Sequence, residues 1–189
     1  VQTCALPISC LRSETTVKVF DQMRKLKGYT DEGSPGRDWN VATGMVIEGK
    51  AGFQIMGDWA KGEFTAAGKS PGWDYYCVPT PSNNGYLYNV DSFIFYKTSD
   101  PDKQAGQKLL AKLMMGKNFQ KVFNLYKGSI PARLDVPMDE FDDCAKASNA
   151  DIKTSGAKGG LVPSFAHGMA QGNTMKAALQ DVITEHFNS

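Results

Sequence analysis

Residues with catalytic potential occur in this chain of 189 residues, but they do not form a catalytic or metal-binding motif. The two histidines, His167 and His186, do not have the spacing to each other that metal ligands need. The motifs GxGxxG and HExxH are absent from the sequence, and we predict no nucleophile elbow of the GxSxG type. A catalytic set would have to consist of His167, Asp91 and an unspecified serine, a combination that most chains of this length contain by coincidence. We therefore predict that the protein is not an enzyme and needs no metal and no cofactor.

One segment, Gly62–Ser70, comes close to a phosphate-binding loop without matching it. That loop has four residues between its two glycines, whereas five residues separate Gly62 from Gly68. The segment also lies within a predicted helix and does not follow a strand. We therefore do not expect a nucleotide to bind there.

The four cysteines do not have the spacing of a zinc site or a redox motif. Cys77 and Cys144 lie deep in the chain, far from any second cysteine or histidine in a ligand pattern. The residues alone leave two possibilities open, a pair of buried thiols or one structural disulfide bond. A disulfide bond would indicate an oxidising compartment.

Residues 1–9 do not have the character of a natural protein start. The segment Val1–Ile8 looks like the translation of a sequencing-adapter oligonucleotide joined to a coding fragment. We predict that residues 1–9, including Cys4, are not native; the alternative is a divergent natural linker. There is no charged region followed by an apolar stretch, so no signal peptide is visible.

The composition is that of an ordinary globular protein, with 41% hydrophobic and 22% charged residues. The net charge is +1, and the lysines and arginines are spread along the sequence. Nucleic acids and acidic membranes both require clustered basic residues. We therefore expect neither as a partner, and the apolar runs are too short to span a bilayer.

The elements that must position the polar side chains alternate between helix and strand, which predicts an α/β fold. The predicted helices are Glu14–Lys27 with Ser13 as its cap, Trp39–Glu48, Trp59–Ala67, a helix from Pro101 that Asp100 caps and Gly116 interrupts, Asn118–Tyr126 with Gly128 after its end, Asp139–Ser148, and a last helix that Asn173 caps and that runs to Phe187. The predicted strands are Ala51–Met56, Tyr75–Val78 and Tyr86–Tyr96, and Gly156–Pro163 is expected to be a loop.

Five blocks of sequence, in order, resemble extracellular solute-binding proteins of the sugar-binding type. In one-letter code they are GKAGFQIMGDWA from Gly49, NVDSF from Asn89, FNLYKGSIPAR from Phe123, FDDCAKAS from Phe141 and GLVPSFAHGMA from Gly160. The resemblance covers nearly the whole chain after Leu11. It is closest to the glucose- and mannose-binding branch of Gram-negative bacteria.

The resemblance implies a periplasmic-binding-protein fold of type II, with two α/β lobes and a sugar in the cleft between them. Members are about twice as long, so the chain resembles the C-terminal half alone. Residues 10–84 and 129–189 would then form parts of the C-terminal lobe. Residues 85–128 would be a hinge strand and helices that belong to the N-terminal lobe.

The resemblance also implies a function: the monomeric, periplasmic receptor of an ABC sugar importer, which delivers glucose or mannose to membrane permease subunits. The signal peptide would have been lost with the N-terminal half. The alternatives are a receptor for a disaccharide or another carbohydrate and, more distantly, a carbohydrate-processing enzyme. Such an enzyme needs two facing carboxylates, for which Asp58 and Asp91 are the nearby candidates.

Four residues are expected to contact the sugar. Trp59 follows a sharp turn and could stack on the apolar face of a sugar ring, although a tryptophan here would ordinarily be a core residue. Asp91 interrupts an apolar predicted strand, where a carboxylate needs partners. It would accept hydrogen bonds from sugar hydroxyls, the alternative being a structural ion pair. Lys127 and His167 match sugar-contacting residues of the family; without that match they would be a helix-capping lysine and a structural histidine.

The resemblance favours a disulfide bond between Cys77 and Cys144, because some relatives have one at these places.

Overall fold

The computed structural model of the protein describes residues 11–81 and 85–189, which fall into two compact units. The larger unit is Asp38–Pro163, and the smaller unit combines residues 11–37 with Ser164–Ser189. These units do not coincide with the predicted lobes, and the lobe assignment stays a prediction. The prediction that residues 1–9 are not native concerns a segment outside the described residues.

Helices dominate the described residues. They are α1 (Glu14–Lys27), α2 (Trp39–Ile47), α3 (Lys61–Ala66), α4 (Pro101–Met114), α5 (Lys117–Lys127), α6 (Asp143–Ala157) and α7 (Asn173–Asn188). A 3₁₀ turn, Asp58–Ala60, precedes α3, and two strands, β1 (Tyr86–Tyr88) and β2 (Leu161–Pro163), complete the set. None of these helices has both the length and the apolar character needed to cross a membrane.

Local capping chemistry determines several helix ends, as the sequence predicted. The Ser13 hydroxyl accepts a hydrogen bond from the Thr16 amide at 3.3 Å and begins α1. Asp100 caps α4, with Pro101 in its first turn. Gly128 ends α5 in the left-handed conformation, with φ at 89°, which glycine adopts without steric cost.

Two helix starts differ from the prediction. The helix predicted over Asp139–Ser148 instead begins at Asp143, because the Asp142 carboxylate caps it by accepting the Ala145 amide hydrogen at 2.8 Å. The last helix is capped by Gly172, and Asn173 is its first residue. An Asp or Asn can fill more than one position near a helix start, so the sequence left the boundary open by a few residues.

The sequence predicted more strand than the described residues contain. Residues 51–56 have no ladder partner among the described residues, and the side chain at Phe53 is 91% exposed. Tyr75 forms an isolated bridge with Pro71, and the remainder of Tyr75–Val78 is irregular. Of the strand predicted over Tyr86–Tyr96, only β1 is present. An extended segment becomes a strand only when a neighbour satisfies its backbone hydrogen bonds, which local sequence does not specify.

The prediction of a loop over Gly156–Pro163 is wrong at both ends. Helix α6 continues to Ala157, and β2 then pairs in parallel with β1, with Leu87 opposite Val162. The Tyr86 hydroxyl also forms a hydrogen bond of 2.6 Å with the Ser148 hydroxyl on α6. The long connection from β1 to β2 therefore ends with α6, which leads directly into β2.

The larger unit has a small apolar core beside the start of α6. Val136, Phe141 and Ala145 are its buried members, and Leu125, Ile130 and Met138 pack against them. Phe141 precedes α6 rather than lying within it. This core supports the end of α5 and the turn that follows it. In the smaller unit, α1 and α7 pack together, with the Phe20 and His186 rings edge to face at 4.7 Å.

Candidate functional site

Trp59 lies in the 3₁₀ turn Asp58–Ala60, directly before α3. Its half-buried ring folds back over Gly57, so closely that a Cβ atom at position 57 would stand 2.1 Å from the ring atom Cζ3. Any residue other than glycine would displace the indole. The Gly57-Asp58 pair that marks the turn in the sequence therefore also sets the orientation of the ring.

The structure brings Asp91 and Lys127 together, although they are 36 positions apart. Lys127 ends α5, and its ammonium group forms an ion pair with the Asp91 carboxylate. Asn89 donates a second hydrogen bond to Asp91, with 3.0 Å between Nδ2 and Oδ1. The result is a charged acceptor and a charged donor side by side.

The environment of Asp91 differs from the expectation of an apolar strand. The Asp91 side chain is 63% exposed and that of Lys127 is 30% exposed. This expectation was wrong because β1 ends at Tyr88, so position 91 lies on an irregular segment. The Asp91 carboxylate is therefore accessible to a ligand while it is paired.

Asp58 faces the chain that follows Lys127. Its carboxylate accepts the Ile130 amide hydrogen, with 3.1 Å between Oδ2 and N. Burial raises the pKa of Asp58, against the opposing effects of the Ile130 amide, the Lys61 charge, the Ser129 hydroxyl and the Lys127 charge. The Ser129 hydroxyl lies near the carboxylate and lowers this pKa. Its buried Oγ makes no hydrogen bond of normal geometry to any described residue.

Two glycines bring α3 and the end of α5 into backbone contact. A Cβ atom at Gly62 would stand 2.9 Å from the Lys127 carbonyl oxygen. One at Gly128 would stand 2.7 Å from the Gly62 nitrogen. Larger residues would separate the two helices, so glycine at both positions fixes Lys127 beside the turn that carries Trp59.

An ion pair between a buried lysine and a partly exposed aspartate joins α3 to the start of α6. The Lys61 ammonium lies 2.8 and 2.7 Å from the two carboxylate oxygens of Asp142. Only 7% of the Lys61 side chain is exposed, so this lysine is committed to its partner. Because Asp142 also caps α6, one carboxylate holds two helices in place.

Cys77 and Cys144 form a disulfide bond, with their Cα atoms 5.7 Å apart. Cys144 lies in the first turn of α6, next to the core residue Ala145. The bond therefore ties the irregular segment after Tyr75 to the same helix end that Lys61 holds. Cys4 and Cys10 lie outside the described residues.

His167 belongs to the smaller unit, whereas Trp59, Asp91 and Lys127 belong to the larger one. Its Nδ1 atom lies 2.6 Å from the hydroxyl of Ser164, which is buried. The His167 side chain is exposed. Ser164 therefore orients the imidazole at the surface of that unit.

Three residues that hold the site together were not predicted from the sequence: Asp58, Lys61 and Asp142. Asp58 had a local signal, since it stands in the sharp turn before Trp59. The partners Lys61 and Asp142 are 81 positions apart, and no periodicity or motif connects them. Within residues 11–81 and 85–189, no three His, Cys, Asp or Glu side chains converge as metal ligands would.

The sequence matches a known protein family. The family described as bacterial extracellular solute-binding protein matches residues 6–154. A probable sugar-binding periplasmic protein of Brucella suis is 49% identical over 179 residues, which are 94% of this chain and 42% of that protein. A protein of the same description from Rhizobium meliloti is 44% identical over 181 residues, 95% of this chain and 44% of its own length.

A more distant relative extends the match beyond these bacteria. An ABC transporter extracellular-binding protein of Pyrococcus horikoshii is 35% identical over 172 residues, 90% of this chain and 38% of that protein. The chain thus spans about two fifths of the length of the relatives it matches.

Proposed function

The chain belongs to the bacterial extracellular solute-binding protein family, and from this premise we propose that it forms the C-terminal half of the periplasmic receptor of an ABC sugar importer. The names of the relatives support this proposal, since they describe sugar-binding periplasmic and ABC transporter extracellular-binding proteins. The receptor binds its sugar without a cofactor, acts as a monomer and delivers the sugar to permease subunits in the membrane.

The paired side chains of Asp91 and Lys127 are the observation that carries the proposal. A sugar ring has hydroxyls that both donate and accept hydrogen bonds, so a carboxylate beside an ammonium group suits two neighbouring hydroxyls. The exposed carboxylate of Asp91 is available to such a ligand. We propose that the bound sugar is a monosaccharide, with glucose or mannose as the first candidates.

The other two residues complete the proposed site. Trp59 would stack on the apolar face of the sugar, since aromatic rings pack well on such C–H surfaces. His167, which matches a sugar-contacting residue of the family, would hydrogen-bond a hydroxyl, with Ser164 holding its ring. In the proposed receptor, residues 10–84 and 129–189 form the C-terminal lobe, and residues 85–128 belong to the N-terminal lobe.

Specificity would follow from closure of the two lobes around the sugar. Closure removes water from the sugar hydroxyls, so each must find a partner in the protein. An epimer with one displaced hydroxyl would leave that hydroxyl, or its partner, buried and unpaired. The closed form would be the one that the permease recognises.

The environment of Asp58 favours a receptor over a glycosidase. A glycosidase requires two carboxyl groups that both face one substrate. Asp58 is largely buried and accepts the Ile130 amide hydrogen, so its carboxylate is engaged by the protein itself. Asp58 therefore does not provide the second open carboxyl group that a glycosidase would need beside Asp91.

A calorimetric titration of the full gene product tests the proposal. Glucose, mannose, galactose and maltose serve as ligands, and each mixture is afterwards assayed for hydrolysis or other turnover. We expect micromolar or tighter binding of one monosaccharide and no product. Binding of maltose alone would favour a disaccharide receptor, and turnover of any sugar would overturn the proposal.

The variant Trp59→Ala tests the stacking platform in the same titration, with Trp73→Ala as its matched control. Trp73 is 92% exposed and lies in a loop away from the proposed site residues in sequence. We expect Trp59→Ala to weaken binding about tenfold or more, because a stacked aromatic side chain is lost, and Trp73→Ala to leave affinity unchanged. Equal losses in both variants would contradict the assignment of Trp59.

A further inference from the structure

We propose that Asp58 is a positioning residue of the sugar site, which holds Lys127 and, through Lys127, the carboxylate of Asp91. The inference rests on the proposed function, since it concerns the same site. Asp58 itself does not touch the sugar. Its role is to fix the chain from Lys127 to Ile130 beside the turn that carries Trp59.

The first step is the contact between Asp58 and Ile130. The Asp58 carboxylate accepts the Ile130 amide hydrogen at 3.1 Å, in a largely buried position. Hydrogen bonds to a charged group are stronger than those between neutral groups. This bond spans 72 positions of sequence and therefore fixes the chain just after Lys127 to the chain just before Trp59.

The second step is the glycine contact on the other side of Lys127. Gly62 and Gly128 bring the backbones of α3 and the end of α5 together, with no room for a Cβ atom at either position. Position 127 thus lies next to one fixed point, Gly128, and three residues before another, Ile130. The glycine contact and the hydrogen bond to Ile130 both lie close to Lys127 in sequence, so they restrict movement of its backbone.

The third step leads from Lys127 to Asp91. Asp91 lies beyond the end of β1, on an irregular segment, and more than half of its side chain is exposed. Its ion pair with Lys127 links it to α5. A displacement of Lys127 would therefore also displace the carboxylate that we propose to bind the sugar.

The nearby lysine Lys61 does not replace Lys127 in this arrangement. Its ammonium group contacts both carboxylate oxygens of Asp142 and is nearly buried. The charges of Lys61 and Lys127 both act on Asp58, and that of Lys61 has the larger effect on its pKa. Because Asp142 holds Lys61 in place, we expect loss of the Asp58 charge to move Lys127 and the segment that follows it.

A double-mutant cycle on the full gene product tests the inference. The variants are Asp58→Asn, Lys127→Met and the combination of both, and the readout is the dissociation constant for the monosaccharide that the wild type binds best. We expect Asp58→Asn alone to weaken binding about tenfold and Lys127→Met about thirtyfold. In the Lys127→Met background, Asp58→Asn should have no further effect, because its influence passes through Lys127.

The cycle also separates a positioning role from the alternatives. Independent, multiplying losses would overturn the inference, because Asp58 would then act on the sugar without Lys127. Thr43→Ala serves as a control for general destabilisation, since Thr43 is fully buried and its hydroxyl bonds Trp39 and Gln54, neither of which is a site residue. If Asp58→Asn weakened binding no more than Thr43→Ala, the inference would also fail.

A second measurement distinguishes a failure of the inference from a failure of the proposed function. The amide proton resonance of Ile130 is followed by NMR as the pH is lowered, in the wild type and in Asp58→Asn. We expect it to titrate in the wild type alone. If the wild type bound no sugar, the proposed function would fall and the inference with it, whatever the Ile130 resonance did. If it bound sugar and the Ile130 resonance did not titrate, the inference alone would fall.

Discussion

Two regions of the larger unit contrast sharply in how they are held. The anchored region comprises Asp58–Gly62, Lys127–Ile130 and Asp142–Ala145. The ion pair of the buried Lys61 with Asp142, a carboxylate-to-amide hydrogen bond and a glycine contact hold it together, and a disulfide bond ties Cys144 to Cys77. The extended segment, residues 89–97, has aromatic and aliphatic side chains that face water instead. Ile94 is 73% exposed and Tyr96 is 79% exposed.

This difference separates structure that the chain stabilises by itself from structure that needs a neighbour. Every contact that holds the anchored region together joins two residues of the described chain. The extended segment has the composition of a buried strand but no strand partner within residues 11–81 and 85–189. A contiguous exposed apolar surface marks a contact with another body. We propose that this body is the remainder of the receptor, since the chain spans about two fifths of the length of its relatives.

The largest expected effect breaks the anchored region at its covalent link. The double variant Cys77→Ser, Cys144→Ser opens a loop of 67 positions, which the chain-entropy account values at about 4 kcal/mol of unfolding free energy. Urea unfolding of oxidised wild type and variant gives the difference. If the unfolding free energy of the variant were within about 1 kcal/mol of the wild type, the ion pair, the hydrogen bond and the glycine contact would be enough to stabilise the region without the disulfide bond.

The next effect breaks the ion pair. Asp142→Ala leaves the Lys61 ammonium buried without its carboxylate and removes the cap of α6, so we expect a loss of about 3 kcal/mol in urea unfolding. Glu14→Ala is the control, because it removes an ion pair at the surface. In this pair the Glu14 side chain is 82% exposed and the Lys18 side chain is 72% exposed. Such a surface pair contributes less than about 1 kcal/mol. Comparable losses in the two variants would contradict the importance assigned to burial.

A third prediction concerns the extended segment. Ile94→Ser should change the stability of this chain by less than about 0.5 kcal/mol, because the side chain is mostly exposed. In the full gene product the same change should cost about 2 kcal/mol, if the remainder of the receptor covers the segment. Urea unfolding of both proteins measures the difference. Equal small effects would mean that nothing covers Ile94.

The smallest effects concern pH and contrast two aspartates. Burial raises the pKa of Asp58 above its ordinary value of 3.8, so the unfolded state releases its proton first as the pH rises. Stability therefore falls as the pH rises from 3.8 through the folded pKa of Asp58. Arg37 lowers the pKa of Asp31 to about 2, so that group stabilises the fold above pH 3.8 and this contribution is lost as the pH falls through about 2.

Unfolding measured from pH 2 to pH 7 checks both signs. Asp58→Asn should remove the fall that Asp58 causes, and Arg37→Gln should remove the rise that Asp31 causes. A wild type and an Asp58→Asn variant with parallel pH profiles would contradict the raised pKa of Asp58.

The same contrast explains how much the sequence could predict. Helix ends at Ser13, Asp100 and Gly128 depend on chemistry within a few residues, and these predictions are confirmed. Strands depend on a partner elsewhere, so the patterns at residues 51–56 and 89–96 predicted strands that the described chain does not form. Helix α6 was displaced because Asp142, rather than a residue before Asp139, provides its cap.

The candidate site divides in the same way. Asp91 was predicted from its place in an apolar stretch and Lys127 from resemblance to a family, but nothing in their local sequence indicates that they meet across 36 positions. Asp58 stood in a turn that the sequence marked, but its partner Ile130 is 72 positions away. Contacts of this range follow from the packing of α3 against α5, which propensity and periodicity do not describe.

One measurement tests the central claim most directly: calorimetric titration of the full gene product with its preferred monosaccharide, in the wild type, Asp91→Ala and Asp135→Ala. Asp135 is a matched control, because it is a half-exposed aspartate of the same unit, paired with Arg133. We predict that Asp91→Ala weakens binding about thirtyfold or more through loss of a charged acceptor, whereas Asp135→Ala binds as the wild type does. Unchanged affinity in Asp91→Ala would contradict the account, because the paired charges of Asp91 and Lys127 would then not belong to the sugar site.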